Sequence, residues 1–358
     1  MSTKSLIGIV LPCLTFVALL TCVPWPVRSS GFNEQDTGSE GQKVFSEKCG
    51  SCHSVQSSGP LDPEELVRTQ GPTLAYVGSK FQTQWLEKWL VSPYRLRQAG
   101  YLSYRHVVST ATGDRIDERT LPTHPALSQA QAKSVVNYFS QFKKDPSPYP
   151  WDTAGVAIRA QVHFDKILGC GSCHQARPGQ GGLSGPELYT AFDRLDRKWT
   201  ASFIAEPNYW TAVAMPKVSV QGNQLAAISD YLFQQPSQTV SSTAQANDSP
   251  VAGKAAPPPA SRAALLYQLF CSQCHGIQGD GKGINAPSMF VSPRDHTSSE
   301  EMGMLTDDRL YAVIKYGGTA VGKSALMPSW NGVIKDSDVK LLTEYLRMLS
   351  HTGTGGEH

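Results

Sequence analysis

The chain has 358 residues, 40% of them hydrophobic, and a formal net charge of +2. This length allows two or three domains, and the nearly balanced charge gives no sign of a nucleic-acid-binding surface or an acidic tail. Six of the eight cysteines lie in three strings of the form CxxCH, and the other two lie in the N-terminal apolar run, so no cysteines remain for a structural disulfide framework.

The N-terminal segment, residues 1–30, predicts export. Lys4 precedes an apolar run from about residue 6 to about residue 23, and small residues follow at Ser29 and Ser30. This order is typical of a cleaved signal peptide. An uncleaved anchor helix and a lipid attached to Cys22 are the alternatives, and either would join the N-terminus to a membrane. All three readings place the folded part outside the cytoplasm, which predicts a periplasmic protein.

The three CxxCH strings divide the rest of the chain into three modules. Residues 237–261 are rich in Pro, Ala and Ser and lack large apolar side chains, which predicts a linker. The prolines of KDPSPYPWD, at 144–152, predict a second, shorter joint. The predicted modules are therefore 31–148, 149–236 and 262–351, with a disordered tail at 352–358. The linker would either let module three swing like a tethered carrier or act as a passive spacer.

Modules one and two share a repeated pattern of residues. In both, a GPxL string is followed after ten residues by Trp, and then by an aromatic residue, an aliphatic residue and Pro at the same spacings. The strings begin at Gly71 and Gly185, and the tryptophans are Trp85 and Trp199. Each tryptophan and the aromatic residue four positions later would lie on one face of a helix.

Each module also begins and ends with an amphipathic helix. Apolar residues recur at helical spacing over 42–47, 158–167 and 263–270, before each CxxCH, and over 130–142, 224–233 and 336–349, at the end of each module. The sequence therefore predicts an all-α protein of three tandem helical domains. The aromatic residues of these helices would pack around a core that includes a cofactor.

The CxxCH strings are the chemical signature of the chain. Two thiols at this spacing form thioethers with the vinyl groups of haem, and the histidine that follows supplies an axial nitrogen to the iron. A redox dithiol would not need histidine at the next position in all three strings, and zinc would need two CxxC pairs close together. The strings predict three covalently bound haem c groups, attached and ligated by Cys49, Cys52 and His53, by Cys170, Cys173 and His174, and by Cys271, Cys274 and His275.

An electron-transfer haem also needs a ligand on its second face, usually methionine or histidine. Met215-Pro216 in module two and Met327-Pro328 in module three occupy matching positions, so Met215 and Met327 are the predicted distal ligands. Module one has no methionine, and Leu121 stands in the corresponding place. His124 is the preferred ligand there, with His106 or an open iron position as alternatives.

These strings, the two MP pairs and the flanking helices resemble the class I cytochrome c family in triplicate, over nearly all of residues 40–350. The resemblance implies that a proline carbonyl accepts a hydrogen bond from each proximal histidine, and the matching residues are Pro72, Pro186 and Pro287. Such a bond orients a metal-bound imidazole. The resemblance also implies that the first and last helices of each module cross.

The expected function is electron transfer by a periplasmic tri-haem cytochrome, not an enzyme in itself. Its partners would be redox proteins, such as the subunits of a membrane respiratory complex or another cytochrome. Methionine ligation favours higher potentials, so electrons would enter at module one and leave at module three. One alternative is a haem enzyme in which residues 101–120 shape a pocket over an open iron. A second alternative is the cytochrome subunit of an alcohol or sugar dehydrogenase.

Overall fold

The computed structural model describes residues 34–56, 62–146, 159–210, 215–220, 222–234 and 251–352. The predicted export segment, the first part of the linker and nearly all of the C-terminal tail lie outside these ranges. Within the described ranges, every helix is too short or too polar to span a membrane. The module boundaries stay predictions, and the modules are named below by them.

The described part of module one contains five α-helices: α1 (Glu34–Lys48), α2 (Pro63–Leu66), α3 (Val77–Lys80), α4 (Thr83–Val91) and α5 (Gln129–Phe139). A capping box at Ser128 begins α5, which crosses α1. The close approach of the two helices depends on Gly41, because a β-carbon there would overlap the Ser134 carbonyl oxygen. The rings of Phe45 and Phe139 meet edge to face at 6.0 Å on the buried side of this crossing.

Module two is built from shorter helices: α6 (Ala160–Val162), which continues as a π-helical turn (His163–Ile167), α7 (Ala191–Arg194), α8 (Arg197–Ala205) and α9 (Gly222–Gln234). Phe164, Trp199 and Trp210 form its buried core. Tyr76 of module one joins this core and stacks on Trp199 with ring centroids 6.2 Å apart. The core of module two is therefore completed by a residue from module one.

Module three contains α10 (Arg262–Phe270), α11 (Ser272–His275), α12 (Ser299–Gly303), α13 (Asp307–Tyr316) and α14 (Asp336–Thr352). Ser261 caps the first of these helices by accepting a hydrogen bond from the Ala264 backbone N–H. The first and last helices of the module meet where the rings of Tyr267 and Tyr345 lie 5.4 Å apart. This crossing repeats the one between α1 and α5.

The fold is mostly helical, but the expectation of an all-α protein is wrong in detail. Five short strands are described: β1 (Val107–Thr110), β2 (Gly113–Ile116), β3 (Gln175–Arg177), β4 (Gln180–Gly181) and β5 (Lys254–Ala255). The first two form an antiparallel hairpin, whose turn uses the positive φ of Gly113, and the fifth pairs antiparallel with β1. The hairpin occupies the charged stretch 101–120, where valines favour extended backbone.

Module three is docked on module one through this hairpin. The Asp114 backbone N–H donates to the Lys282 carbonyl oxygen at 2.8 Å, and the Asp114 carboxylate accepts the Ile277 N–H at 2.8 Å. Leu102 and Tyr104, at the start of the same stretch, lie in the hydrophobic core of module three. The swinging-carrier hypothesis for module three is therefore wrong, and stretch 101–120 is a docking element within the chain.

Modules one and two are joined by main-chain hydrogen bonds. The Gln82 N–H donates to the Arg194 carbonyl oxygen at 3.0 Å, and the Asp196 N–H donates to the Lys80 carbonyl oxygen at 2.9 Å. Asp196, the residue before α8 of module two, is therefore bonded to Lys80, the last residue of α3 of module one. These bonds place the three CxxCH strings in a single packed body.

Candidate haem-binding sites

The three CxxCH strings adopt the same turn. In each, the histidine N–H donates to the carbonyl oxygen of the first cysteine, at 3.0 Å for His53, 3.0 Å for His174 and 2.9 Å for His275. An amphipathic helix leads into every turn, and one helical turn spans the two thiols and the imidazole. All six cysteines and all three histidines line one continuous cavity.

The three histidines are oriented by carbonyl oxygens. His53 Nδ1 lies 2.7 Å from the Pro72 carbonyl oxygen, and His174 Nδ1 lies 2.8 Å from that of Pro186. Because Nδ1 donates to a carbonyl, Nε2 is left with its lone pair free for a metal. Burial lowers the pKa of His174 to about 4 and also lowers that of His53, which keeps both rings neutral, as ligation requires.

The third proline assignment is corrected by the structure. His275 Nδ1 lies 3.0 Å from the carbonyl oxygen of Arg294, whereas Pro287 lies in a 3₁₀ turn (Ala286–Ser288). The accepting carbonyl lies 19 residues after His275, the same spacing as from His53 to Pro72, whereas Pro287 lies at the 12-residue spacing found between His174 and Pro186. The hydrogen bond is thus the same in all three modules, although the residue that accepts it is not a proline in the third.

The glycine of each GPxL string has a steric role that the sequence pattern alone did not explain. A β-carbon at Gly71 would lie 2.6 Å from Cε1 of His53, and one at Gly185 would lie 2.6 Å from Cε1 of His174. Real side chains do not tolerate such distances. Glycine therefore lets the chain pass over the edge of the imidazole before the carbonyl of the next residue accepts its N–H.

The six cysteines of the strings are free thiols in this fold. Burial raises the pKa of Cys49 to about 11 and those of Cys170 and Cys271 to about 12. Such thiols stay protonated near neutral pH, unlike the thiolates that bind zinc or attack disulfides. In the described part of the chain, no group of three His, Cys, Asp or Glu side chains is arranged to hold a metal ion.

His124 is the histidine that faces the first CxxCH turn. Its ring centroid lies 6.4 Å from that of His53, at an interplanar angle of 46°. The ring also packs 4.5 Å from Trp89, and its Nδ1 lies 3.1 Å from the Pro125 carbonyl oxygen, which leaves Nε2 free. Two imidazoles on opposite sides of one metal, each about 2 Å from it, have centroids roughly 6 Å apart.

The alternative ligand, His106, lies elsewhere. It is outside the cavity lining, and its Nδ1 lies 3.0 Å from the Thr120 hydroxyl oxygen at the base of the hairpin. Leu121, which occupies the methionine position of the other modules, is buried and lines the cavity. The structure therefore brings together His53, His124 and Leu121 and leaves His106 apart.

Both predicted distal methionines, Met215 and Met327, line the cavity. The Met327 carbonyl oxygen accepts the Gly318 N–H at 2.9 Å, which fixes the loop that carries it. Met289 of module three also lines the cavity. Met302 is fully buried in the core, and Met304 is exposed. The cavity is thus lined by one methionine of module two, by two of module three and by none of module one.

His296 has a contact that the sequence did not reveal. Its ring stacks on that of His275, with centroids 4.1 Å apart and an interplanar angle of 16°. Its Nδ1 lies 3.1 Å from the hydroxyl oxygen of Tyr267. The only signal in the sequence is its position two residues after Arg294. The ring of His275 is therefore fixed by the Arg294 carbonyl oxygen at Nδ1 and by the buried imidazole of His296 on one face.

One side chain joins the second and third CxxCH turns. The amide of Asn285 is fully buried, and its Nδ2 lies 4.0 Å from Cys173 Sγ and 3.8 Å from Cys274 Sγ. Its Oδ1 accepts the backbone N–H groups of Leu183 and Ser184 at 2.8 and 3.2 Å. The second cysteines of the CxxCH strings in modules two and three therefore both contact the amide of Asn285.

The residues present fit haem c. Each turn offers two thiols for thioether bonds and an oriented imidazole with Nε2 free. The cavity walls are rich in aromatic and aliphatic side chains, as an apolar macrocycle requires. When bound, the group would supply an iron that changes its charge by one electron. Cys49, Cys52 and His53 would hold the first, Cys170, Cys173 and His174 the second, and Cys271, Cys274 and His275 the third.

Two parts of the chain match known families. Residues 38–143 match the cytochrome c family, and residues 258–346 match the family of cbb3-type cytochrome c oxidase subunit III. These matches contain the first and the third CxxCH string. No curated protein and no solved structure matches the chain. The two matches, together with the turns that they contain, support a c-type cytochrome family for this protein.

Proposed function

We propose that this protein is a tri-haem c-type cytochrome that relays electrons through one packed body. The observation that carries the proposal is the common cavity on which all three CxxCH turns open. Haem groups that share such a cavity lie close enough for electrons to pass without movement of the modules. The amide of Asn285, between Cys173 and Cys274, brings the attachment points of the second and third groups together.

The second haem rests on the geometry of module two, because neither family match covers residues 149–236. Its CxxCH string closes the same hydrogen-bonded turn as the other two, and His174 donates to a proline carbonyl oxygen, that of Pro186, as His53 does to that of Pro72. Gly185 repeats the contact that Gly71 makes with an imidazole edge. Three structural features of module one therefore recur in module two, which supports a haem in each.

Ligand type supports a direction of electron flow. His124 facing His53 favours two imidazole ligands in module one, whereas Met215 and Met327 favour thioether ligation in modules two and three. A thioether raises the reduction potential of haem relative to a second imidazole. We therefore propose that electrons enter at module one and leave at module three.

The proposed setting is the periplasm, beside a membrane respiratory complex. The export segment predicted at residues 1–30 supports this location, and the match of residues 258–346 to an oxidase subunit III supports an oxidase or an associated cytochrome as a partner. A haem enzyme with an open iron is less well supported, because His124 faces His53. Stretch 101–120 lines the cavity with residues 101–104, whereas its charged hairpin docks module three.

Haem content tests the proposal. The chain, expressed with a haem c maturation system, is expected to carry three haems, measured by intact mass and by the absorbance of the pyridine haemochrome. Replacing Cys170 and Cys173 together with Ser is expected to remove one haem and leave two. A wild-type chain with two haems, or a double variant that keeps as many as the wild type, would overturn the tri-haem assignment.

A further inference from the structure

Three cations converge on the contact between modules one and two. Lys80 ends α3, Arg97 lies in the loop after α4, and Arg194 ends α7 of module two. All three line the cavity, and Arg194 is almost fully buried. Lys80 and Arg97 are partly buried and face the same space. Charged side chains in such surroundings need partners, because removing an unpaired charge from water is costly.

Among the residues that the structure describes, only Arg194 of these three cations has a carboxylate partner. Arg194 Nε lies 3.7 Å from a carboxylate oxygen of Glu187, which is itself buried, and a further guanidinium nitrogen donates to the Glu187 carbonyl oxygen. Among the described residues, no carboxylate lies within ion-pair distance of Lys80 or Arg97. Burial and the neighbouring guanidinium groups of Arg194 and Arg97 lower the pKa of Lys80 to about 7.

Lys80 is surrounded by aromatic rings instead of acids. Its ammonium nitrogen lies 4.9 Å from the ring centroid of Phe81 and 5.1 Å from that of Trp199. Its charge also acts on His53, whose pKa it lowers together with burial. Lys80 is thus placed near the first CxxCH turn while it contacts a side chain of module two.

Arg97 belongs to module one but lies at the site of module two. Its guanidinium donates to the Ser184 carbonyl oxygen at 3.3 Å, and its backbone forms an isolated β-bridge with Pro186. Pro186 is the residue whose carbonyl oxygen orients His174. A guanidinium has five N–H donors, and the bond to Ser184 uses one of them, so the others remain available to bind an anion.

We propose that Arg97 and Lys80 form an anion-binding site for haem carboxylates, in which module one supplies the cation for the haem of module two. This inference rests on the proposed function. Each haem carries two propionate carboxylates, and a planar guanidinium binds a carboxylate through two parallel hydrogen bonds. Arg97 would bind a carboxylate of the haem held by His174, and Lys80 one of the haem held by His53. The carboxylates would compensate the two cations that the protein itself leaves unpaired.

The site ties the electron-transfer properties of module two to its contact with module one. A fixed positive charge near an iron stabilises the reduced state, which carries one positive charge fewer. Without Arg97, the ferric state of the second haem would be favoured and its potential would fall. A module two separated from module one would therefore lack Arg97 and would have a lower potential at its haem.

The test compares the two cations that line the cavity with exposed cations of the same type outside it. R97Q is expected to lower the midpoint potential of the second haem, and K80Q that of the first, in a spectroelectrochemical titration of the full holoprotein. The matched controls are R115Q and K133Q, which remove exposed charges of the same module away from the cavity. Each buried-site shift is expected to exceed the shift of its control several-fold. R97K keeps the positive charge but loses the two parallel guanidinium donors. It is expected to leave the midpoint potential of the second haem closer to the wild-type value than R97Q does.

A second readout follows the carboxylates directly. Redox-difference infrared spectra of R97Q and R97K are expected to show altered carboxylate bands, whereas those of R115Q match the wild type. Buried-site variants that hold three haems and titrate like their controls would overturn the inference. So would wild-type potentials that move on addition of inorganic phosphate, because a soluble anion would then occupy the site. A wild-type chain with fewer than three haems would instead count against the proposed function.

Discussion

The imidazole rings of His53 and His124 face each other across the cavity with centroids 6.4 Å apart. In both rings Nδ1 is turned to a carbonyl oxygen, so both Nε2 atoms remain for a metal between them. If the proposed haem is bound there, His124 would take the place of the methionine for which module one has Leu121. It also suggests that the first site is closed to exogenous ligands.

Removing His124 is expected to open the first haem. H124A should convert that haem to high spin and allow it to bind carbon monoxide, because the iron loses its second axial ligand. H106A is the control, since His106 bonds to Thr120 outside the cavity lining. Optical and electron paramagnetic resonance spectra check both variants. Carbon monoxide binding by H106A, with H124A unchanged, would assign the ligand to His106.

Replacing Met327 is expected to change the potential of the third haem. M327H should lower it, because imidazole stabilises ferric iron more than a thioether does. Met289 offers a matched control, since it also lines the cavity in module three. M289L is expected to leave all three potentials unchanged in a redox titration. A lowered potential in M289L, with none in M327H, would exchange the roles of the two methionines.

The glycines beside the proximal rings are expected to resist substitution. G71A places a β-carbon 2.6 Å from the ring of His53 and should disturb ligation of the first haem or reduce its attachment. G38A, in α1, meets no atom within 4 Å and should stabilise the helix by about 0.5–1 kcal/mol. Haem stoichiometry and the absorption spectrum distinguish the two variants. Normal spectra in G71A would show that the loop can move away from the ring.

Asn285 is expected to be important for stability as well as for haem placement. N285A leaves the partly buried N–H groups of Leu183 and Ser184 without their acceptor, which costs up to about 1–3 kcal/mol in total. Denaturant unfolding should show this loss, whereas N331A, at an exposed position, should unfold like the wild type. Equal stability of the two variants would mean that other groups satisfy these donors.

Asp114 makes the docking of module three depend on pH. Burial raises its pKa from the usual 3.8 to about 6, and Asp280 nearby adds to the effect. The folded state therefore holds the proton more tightly than the unfolded chain, and stability falls as pH rises from about 4 to about 6. D114N should be more stable than the wild type at pH 7, by up to about 3 kcal/mol, and the difference should vanish near pH 4.

Denaturant unfolding across this pH range measures the effect of D114N. The exposed D145N serves as the control and should follow the wild-type pH profile. A D114N chain less stable than the wild type at pH 7 would show that the ionised carboxylate is favourable at the contact with Ile277.

Local chemistry made the haem turns predictable from the sequence. The spacing of two cysteines and a histidine defines one helical turn wherever it occurs, and the turn at Cys170 closes as the one at Cys49 does. The loop after it is less constrained. In module three the carbonyl for His275 comes from Arg294, at the 19-residue spacing of module one, although Pro287, at the 12-residue spacing of module two, stood in the place that the resemblance implied.

Contacts between distant residues could not be predicted in this way. The hairpin at Val107–Ile116 looks in sequence like a charged loop, and its strands form because module three and β5 cover one edge. The meeting of Lys80 and Arg97 depends on how modules one and two pack. A pattern within one module carries no information on the side chains that a neighbouring module brings to it.

The pairing of β5 with β1 brings the segment before module three back to module one, although module two lies between them in the sequence. The linker returns to module one before module three begins, so each module touches both of the others. The assembly is therefore a ring of three contacts rather than a string of beads. Cutting the chain between residues 235 and 250 would leave module three in place, held by surfaces rather than by the covalent connection.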